Sequence, residues 1–135
     1  MMQGMKINAF VFVAFLLIIQ GHEANGNVRK ECRKESGVSW AALEKLKDGD
    51  LEYRDPKLKC YLKCFLVKNG IMSEANEIEI EKSLRHLPRK LQEGSRKILE
   101  RCKNKRGSDS CDTAFQIAKC YFQEHPEVLQ RVNLV

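Results

Sequence analysis

Six cysteines are the residues whose chemistry most constrains this chain of 135 residues: Cys32, Cys60, Cys64, Cys102, Cys111 and Cys120. A cysteine can join a disulfide, hold zinc or act as a nucleophile, and its setting decides between these roles. A zinc site is disfavoured, because no Cys-x2-Cys pair with a nearby histidine completes four ligands. An even number of cysteines in an exported chain favours three disulfides, for which fifteen pairings are possible.

The N-terminal residues indicate that the chain is exported. One cation within Met1–Lys6 precedes an apolar run of 13 residues, Ile7–Ile19, which is too short to span a membrane comfortably. Small residues follow, and cleavage is expected after Gly21 or after Gly26. We take residues 1–26 as the signal peptide, and an uncleaved signal anchor is the less favoured alternative. The mature protein is therefore expected to be secreted and extracellular, with no stable insertion in a membrane.

Residues 27–135 then form one small domain of 109 residues. A core of this size is marginal, and secreted domains commonly add disulfides to it. The formal net charge of +6 is the same before and after removal of the signal peptide, since Lys6 and Glu23 both leave. In a secreted protein this charge is weak evidence for nucleic-acid binding and fits solubility or an acidic surface better.

Catalytic chemistry is not indicated. Asp48 and Asp50 resemble the start of a calcium loop, but the required spacing to a glycine and to a closing glutamate is absent, so a turn is favoured. A small secreted phospholipase would need such a loop and a His-Asp pair beside adjacent cysteines. His86 and His125 have no catalytic partner that the sequence identifies. We therefore expect no enzyme, no metal and no cofactor.

The mature region has helical periodicity throughout. The alternating stretch 77–81 could form a short strand, but the spacing of Ile80, Leu84 and Leu87 favours a helix that begins with Ser73 as its cap. Gly37 and the pair Asn69-Gly70 are expected to end helices. Six helices are predicted, at about residues 28–36, 40–47, 56–68, 73–87, 89–102 and 110–125.

The third of these helices is predicted to lie at the centre of the fold, because it has two apolar faces. Cys60 and Cys64 lie one turn apart on one face, so each is placed to bond a different neighbour rather than the other. The opposite face carries Leu58, Leu62, Phe65 and Leu66. We expect this second face to turn towards an interior space.

The cysteine spacing Cys-x27-Cys-x3-Cys-x37-Cys-x8-Cys-x8-Cys resembles that of the insect odorant-binding proteins, the pheromone-binding and general odorant-binding family. The segments Lys59–Cys64 and Ala118–Cys120 are also similar to that family. The resemblance covers essentially the whole mature chain. It implies the bridges Cys32–Cys64, Cys60–Cys111 and Cys102–Cys120 in an all-α, six-helix, disulfide-stapled bundle enclosing an apolar cavity.

The resemblance also implies a carrier that takes small hydrophobic ligands, odorants or pheromones, through aqueous lymph towards an olfactory receptor. A carrier of other lipids, or a cationic defence or reproductive-fluid protein on the same scaffold, is the alternative. Tyr61 and Tyr121 could offer a hydroxyl to the polar end of a ligand. The residues predicted to line the cavity, part of which are expected only to pack helix against helix, are Leu62, Phe65, Leu66, Ile80, Leu84, Leu87, Ile98, Phe115, Ala118 and Phe122.

The apolar C-terminal residues 128–135 are expected to pack on the body of the protein, where they could cover the mouth of a cavity. A histidine gains charge as the pH falls through about 6.5. We therefore expect ligand affinity to fall between about pH 7 and pH 5, through loosening of this tail or of the helix end at His86. The alternative is that His86 and His125 are solvated and titrate without consequence.

Overall fold

The computed structural model describes residues 24–135, and the predicted secretory run Ile7–Ile19 lies outside them. This part of the chain contains seven helices and one isolated antiparallel bridge, between Met72 and Ile78. None of these helices is both long and apolar enough to cross a bilayer. The helices are α1 (Ala24–Ser36), α2 (Trp40–Lys47), α3 (Pro56–Lys68), α4 (Ile80–Leu84), α5 (Arg89–Cys102), α6 (Ser110–Glu124) and α7 (Pro126–Arg131). The prediction of an all-α, disulfide-stapled bundle is confirmed, with a short seventh helix added in the C-terminal segment.

The helix ends follow from local chemistry. The side chain of Ser39 accepts a hydrogen bond from the Ala42 amide at 3.1 Å and caps α2. Asp55 caps α3 in the same way, accepting from the Lys57 amide at 2.8 Å, and Pro56 occupies the first helical position. Gly70 has a φ of 72° just after α3, a backbone conformation that terminates helices and that glycine adopts without steric cost.

Helix α3 is the central element, as its two apolar faces predict. It packs against α6 and α1. Its five buried side chains are Leu58, Tyr61, Leu62, Phe65 and Leu66. On its polar side the Lys59 ammonium lies 2.7 Å from a carboxylate oxygen of Asp112, which ties α3 to the first turn of α6. Lys68 reaches the carboxylates of Glu31 and Glu35 at 2.9 and 3.1 Å, which ties α3 to α1.

Three disulfides join the helices, in the pairs that the family resemblance implies: Cys32–Cys64, Cys60–Cys111 and Cys102–Cys120. The first links α1 to α3, the second α3 to α6, and the third α5 to α6. Cys60 and Cys64 therefore bond two different helices, as their shared face predicts. Helix α6 is held at both ends and from two sides.

The segment before α4 differs from the prediction, which has a helix beginning at Ser73. Ser73 instead closes a turn, in which its hydroxyl accepts hydrogen bonds from the amides of Ala75 and Glu77 at 3.2 and 3.1 Å. Asn76 adopts a φ of 64°, and its side-chain amide donates to the Ser110 carbonyl at 2.9 Å. The backbone then pairs at Ile78 before a helix of five residues forms. The contact of Asn76 with α6 therefore determines the conformation of this segment, although the spacing of its apolar residues favours a helix.

The C-terminal segment packs on the body, and that prediction is confirmed. Val128, Leu129 and Leu134 are buried. The hydroxyl of the fully buried Tyr61 donates to the Leu134 carbonyl, and the Arg29 guanidinium donates to the Asn133 carbonyl at 3.2 Å. The segment after α7 is therefore attached to both α3 and α1.

Candidate ligand-binding cavity

An apolar cavity lies between five helices of the bundle, α3 to α7. It contains about 560 Å³ of empty space, including the part at its mouth that opens to solvent. One face of α6 contributes more lining residues than any other helix. The turn before α4 and the segment after α7 complete the wall. The lining residues are Leu66, Ile71, Ile78, Ser83, His86, Leu87, Leu99, Ile117, Ala118, Tyr121, Phe122, Val128 and Val132.

The few polar atoms in this wall already have partners in the protein. The Ser83 hydroxyl donates to the Glu79 carbonyl at 2.7 Å. The Tyr121 hydroxyl shares a 2.8 Å hydrogen bond with the hydroxyl of Ser95, which is completely buried. Burial raises the pKa of Tyr121, and the hydrogen bond from Ser95 opposes that shift in part. The phenol is thus neutral at physiological pH, and the interior suits a molecule that brings no charge into it.

Four of the ten predicted lining residues border this cavity: Leu66, Leu87, Ala118 and Phe122. Phe65 borders an adjoining recess instead. Ile80 is only half-buried and borders neither space. The remaining four, Leu62, Leu84, Ile98 and Phe115, are buried between helices and border neither space either.

Phe115 shows why one apolar stripe divides into wall and core. Its ring lies under the Lys59 ammonium, with 5.4 Å between the nitrogen and the ring centroid, so it faces α3. Ala118, three positions further along α6, faces the cavity. Three residues advance the helix by about 300°, so the two positions lie only about 60° apart around its axis, and the boundary between packing and lining falls between them.

Several wall residues were missed because they lie in an irregular segment or in the C-terminal segment. Ile71 precedes the helix predicted over 73–87, and Ile78 lies within that predicted span but belongs to the turn before α4. Val128 and Val132 are four positions apart at the start and just after the end of α7. That spacing is the one signal from which their shared direction could have been predicted.

A polar recess adjoins the cavity and shares His86 and Val132 with it. Its other lining residues are Phe65, Asn69, Arg131 and Asn133. The His86 ring nitrogen Nε2 lies 3.3 Å from the Asn69 carbonyl oxygen, and the Asn69 side-chain amide donates to the Phe65 carbonyl at 2.8 Å. The recess therefore places hydrogen-bonding groups directly beside an apolar interior.

Together these features define a small, helical, three-disulfide domain with an apolar cavity between its helices. A sequence profile of the PBP/GOBP family matches residues 19–124. The B2 protein of Tenebrio molitor is 40% identical over 98 residues, which cover 71% of this chain and 75% of that protein.

Two solved structures share the fold at a similar identity. Odorant Binding Protein 7 from Anopheles gambiae, solved with four disulfide bridges and in complex with an azo compound, is 30% identical with a TM-score of 0.69, covering 84% of this chain and 92% of that one. The fatty acid binding protein OBP56a from the oral disk of the blowfly Phormia regina is 29% identical with a TM-score of 0.65, covering 80% of this chain and 94% of that one.

The chain belongs to the PBP/GOBP family, as the cysteine spacing predicts. This is a family of odorant-binding carrier proteins and not of enzymes.

Proposed function

We propose that the protein is a secreted carrier that binds a small hydrophobic ligand in the apolar cavity and moves it through an aqueous fluid towards a receptor. The observation that carries this proposal is the apolar space itself. It is lined by side chains from five helices, and its hydroxyl and imidazole groups already have protein partners. When a ligand displaces water from such a site, no polar group of the wall is left without a hydrogen-bond partner.

The energetics are sufficient for a carrier. Removing apolar surface from water gains about 25 cal/mol per Å². A ligand that buries roughly 400 Å² would gain about 10 kcal/mol, from which the costs of association and ordering are subtracted. A cost of about 4 kcal/mol, at the low end and suited to a preformed cavity, leaves about 6 kcal/mol, which corresponds to a dissociation constant of tens of micromolar. The three disulfides support this preformed state, because they fix three of the wall helices, α3, α5 and α6, before a ligand arrives.

Known ligands of the relatives support a broad apolar specificity. One relative of similar fold is a fatty acid binding protein, and another was solved with an azo compound. We therefore expect long-chain alcohols, aldehydes, esters and acids to compete for the cavity, and sugars or nucleotides not to compete.

Filling the cavity tests this proposal. The small side chain of Ala118 lies in the wall, so Ala118→Leu should place a branched side chain in the space that the ligand needs. We expect at least about a tenfold loss of affinity for the uncharged fluorophore phenylnaphthylamine, which corresponds to about 1.4 kcal/mol. Circular dichroism and the thermal midpoint should show a folded protein.

Ala41→Leu is the matched control, because Ala41 is exposed on α2 and borders neither the cavity nor the recess. Its probe affinity should equal that of the wild type. An unchanged affinity in folded Ala118→Leu protein would move the binding site elsewhere.

A non-olfactory role on the same scaffold, as a carrier of other lipids or a defence or reproductive-fluid protein, would use the same cavity. Two observations support this second role: one relative is a fatty acid binding protein, and the formal net charge is +6. Mass spectrometry of the ligand that co-purifies from the natural source, together with expression in antenna and other tissues, separates the two roles. A membrane lipid found in non-sensory tissue would exclude the olfactory one.

A further inference from the structure

We infer that the polar recess is a head-group site and that the preferred ligand is a long-chain carboxylate whose ionised end is bound by Arg131. This inference rests on the proposed function, because the alkyl chain would occupy the apolar cavity. It adds the chemical class of the ligand and the residue that selects it.

The two spaces adjoin each other at two shared lining residues. His86 and Val132 border both the apolar cavity and the polar recess. A chain lying among the side chains of α6 would therefore have its end at this junction. Burying an ionised end in the interior would be energetically unfavourable, because the hydroxyls of Ser83 and Tyr121 already form hydrogen bonds within the protein. The recess adjoins the cavity and has polar side chains in its wall, so a charge bound there keeps contact with water.

Arg131 is the recess residue with hydrogen-bonding capacity to spare. Its side chain is exposed, and it takes part in none of the ion pairs or side-chain hydrogen bonds found between described residues. The carboxylate one turn earlier on α7, Glu127, is hydrogen-bonded to His125 at 2.5 Å. Within residues 24–135, no acidic side chain lines the recess. A guanidinium has five N–H donors in a planar fork that matches a carboxylate in a bidentate manner.

The charges around the mouth favour the same ligand. Arg85 and Arg89 are exposed and flank His86 and Leu87 in the chain. A positive field of this kind raises the local concentration of an anionic ligand and its association rate, an effect that salt weakens.

Ligands with equal chains and different head groups test the inference. Dodecanoate and dodecanol are each used to displace phenylnaphthylamine at about pH 8, where the acid is ionised. We expect the wild-type protein to bind dodecanoate about 5- to 20-fold more tightly than dodecanol at low ionic strength. Arg131→Gln should bring this ratio close to one by weakening dodecanoate alone, with the affinities for dodecanol and the probe unchanged.

Two further variants complete the experiment. Arg131→Lys keeps a point charge without the fork, so it should retain part of the preference. Arg54→Gln removes one positive charge from an exposed arginine that borders neither space, and it should retain the wild-type ratio. A wild-type protein that shows no preference for dodecanoate, or an Arg131→Gln protein that keeps the full preference, overturns the head-group site while leaving the carrier proposal intact. Failure of the wild-type protein to bind the probe or either ligand overturns both.

Discussion

Asp112 shows how one carboxylate can secure the contact between two helices. It lies in the first turn of α6 and accepts hydrogen bonds from the Lys59 ammonium at 2.7 Å, the Ser108 amide at 2.8 Å and the Gln116 side chain at 3.3 Å. The Lys59 ammonium, followed by the Ser108 amide and the Gln116 amide group, holds the pKa of Asp112 well below its usual range. The ionised form is therefore stabilised by folding.

The sign of the resulting pH dependence follows from this depressed pKa. In the unfolded chain an aspartate titrates near pH 3.9, so the stabilisation by Asp112 is fully present above that value and is lost as the pH falls towards the folded pKa. We expect Asp112→Asn to lower the free energy of unfolding by about 1.5–3 kcal/mol at neutral pH. Urea denaturation at about pH 7 and about pH 3 measures this, and the gap between the two proteins should narrow in acid. A gap that is equal at both pH values would contradict the assignment.

Gly107 and Gly94 are two glycines with opposite packing. A Cβ atom at Gly107 would overlap the carboxylate of Asp112 and lie 2.7 Å from the backbone carbonyl carbon of Asp112, which cannot move aside cheaply. A Cβ atom at Gly94, in the exposed middle of α5, would meet the His125 ring only at 3.8 Å, an ordinary contact. The structure therefore has room for a side chain at Gly94.

Alanine substitutions at these two glycines should change stability in opposite directions. We expect Gly107→Ala to cost about 1–3 kcal/mol through overpacking. Gly94→Ala should instead stabilise the protein by up to about 1 kcal/mol, because alanine loses less backbone entropy in a helix. Thermal midpoints of the two variants against the wild type measure both effects. Equal shifts of the same sign would show that the local contacts do not decide them.

At the scale of the elements, the three disulfides that join the helices close chain loops of different lengths. The bridges Cys102–Cys120, Cys32–Cys64 and Cys60–Cys111 close loops of 18, 32 and 51 residues. The chain-entropy relation gives losses of about 3.2, 3.7 and 4.1 kcal/mol, respectively, when each bridge is removed. We expect paired Cys→Ser variants to follow this order in chemical denaturation, within the general range of about 2–5 kcal/mol. A larger loss for Cys102–Cys120 than for Cys60–Cys111 would indicate that native-state contacts, and not loop length, set the order.

Helix type and position were largely predictable from the sequence because the signals are local. Ser39, Asp55-Pro56 and Asn69-Gly70 mark helix ends by capping chemistry that involves only a few neighbouring residues. The segment from Ser73 to Glu79 was not predictable in this way. Its conformation depends on Asn76, whose side chain is bonded to Ser110 on α6, 34 positions along the chain. A periodicity argument contains no information about such a partner.

The cavity was predictable in kind but only partly in its residues. Leu66 and Leu62 lie on the same apolar face of α3, yet only Leu66 borders the empty space. The difference is decided by how closely α3 and α6 approach, which depends on the side chains of both helices. Wall residues from irregular segments, such as Ile78 and Val132, give only weak signals, because Ile78 lies in a short alternating stretch and Val132 has one partner at helical spacing, Val128. Alternation and spacing therefore predict burial well and cannot separate lining from packing.

At the scale of the whole molecule, the C-terminal segment connects the cavity to distant parts of the fold. Val128 and Val132 form part of the cavity wall, and two residues later the Leu134 carbonyl accepts a hydrogen bond from Tyr61 on α3. Burial raises the pKa of Tyr61, while the charges of Arg33 and Arg29 oppose that shift. The phenol therefore keeps its proton at neutral and acidic pH, and acidification alone does not titrate this anchor.

Acid-triggered release would then depend on the histidines near the cavity. His86 borders both the cavity and the recess that contains Arg131, so a proton on His86 adds a second positive charge beside the first and favours a more hydrated mouth. His125 differs, because its ring nitrogen faces the Glu127 carboxylate at 2.5 Å, and protonation strengthens that pair at the start of α7. The two histidines are thus expected to act in opposite directions.

We expect the affinity for the uncharged probe to fall between about pH 7 and pH 5, as the imidazole of a histidine gains its proton. An uncharged probe is used because a carboxylate ligand would itself be attracted to a protonated His86. Probe titrations at both pH values on the wild type, His86→Gln, His125→Gln and the double variant assign the effect. His86→Gln should remove most of the pH dependence, and His125→Gln should keep it or increase it. If the double variant retains the full pH dependence, the histidines are not responsible, and if the wild type shows none, the protein has no such switch.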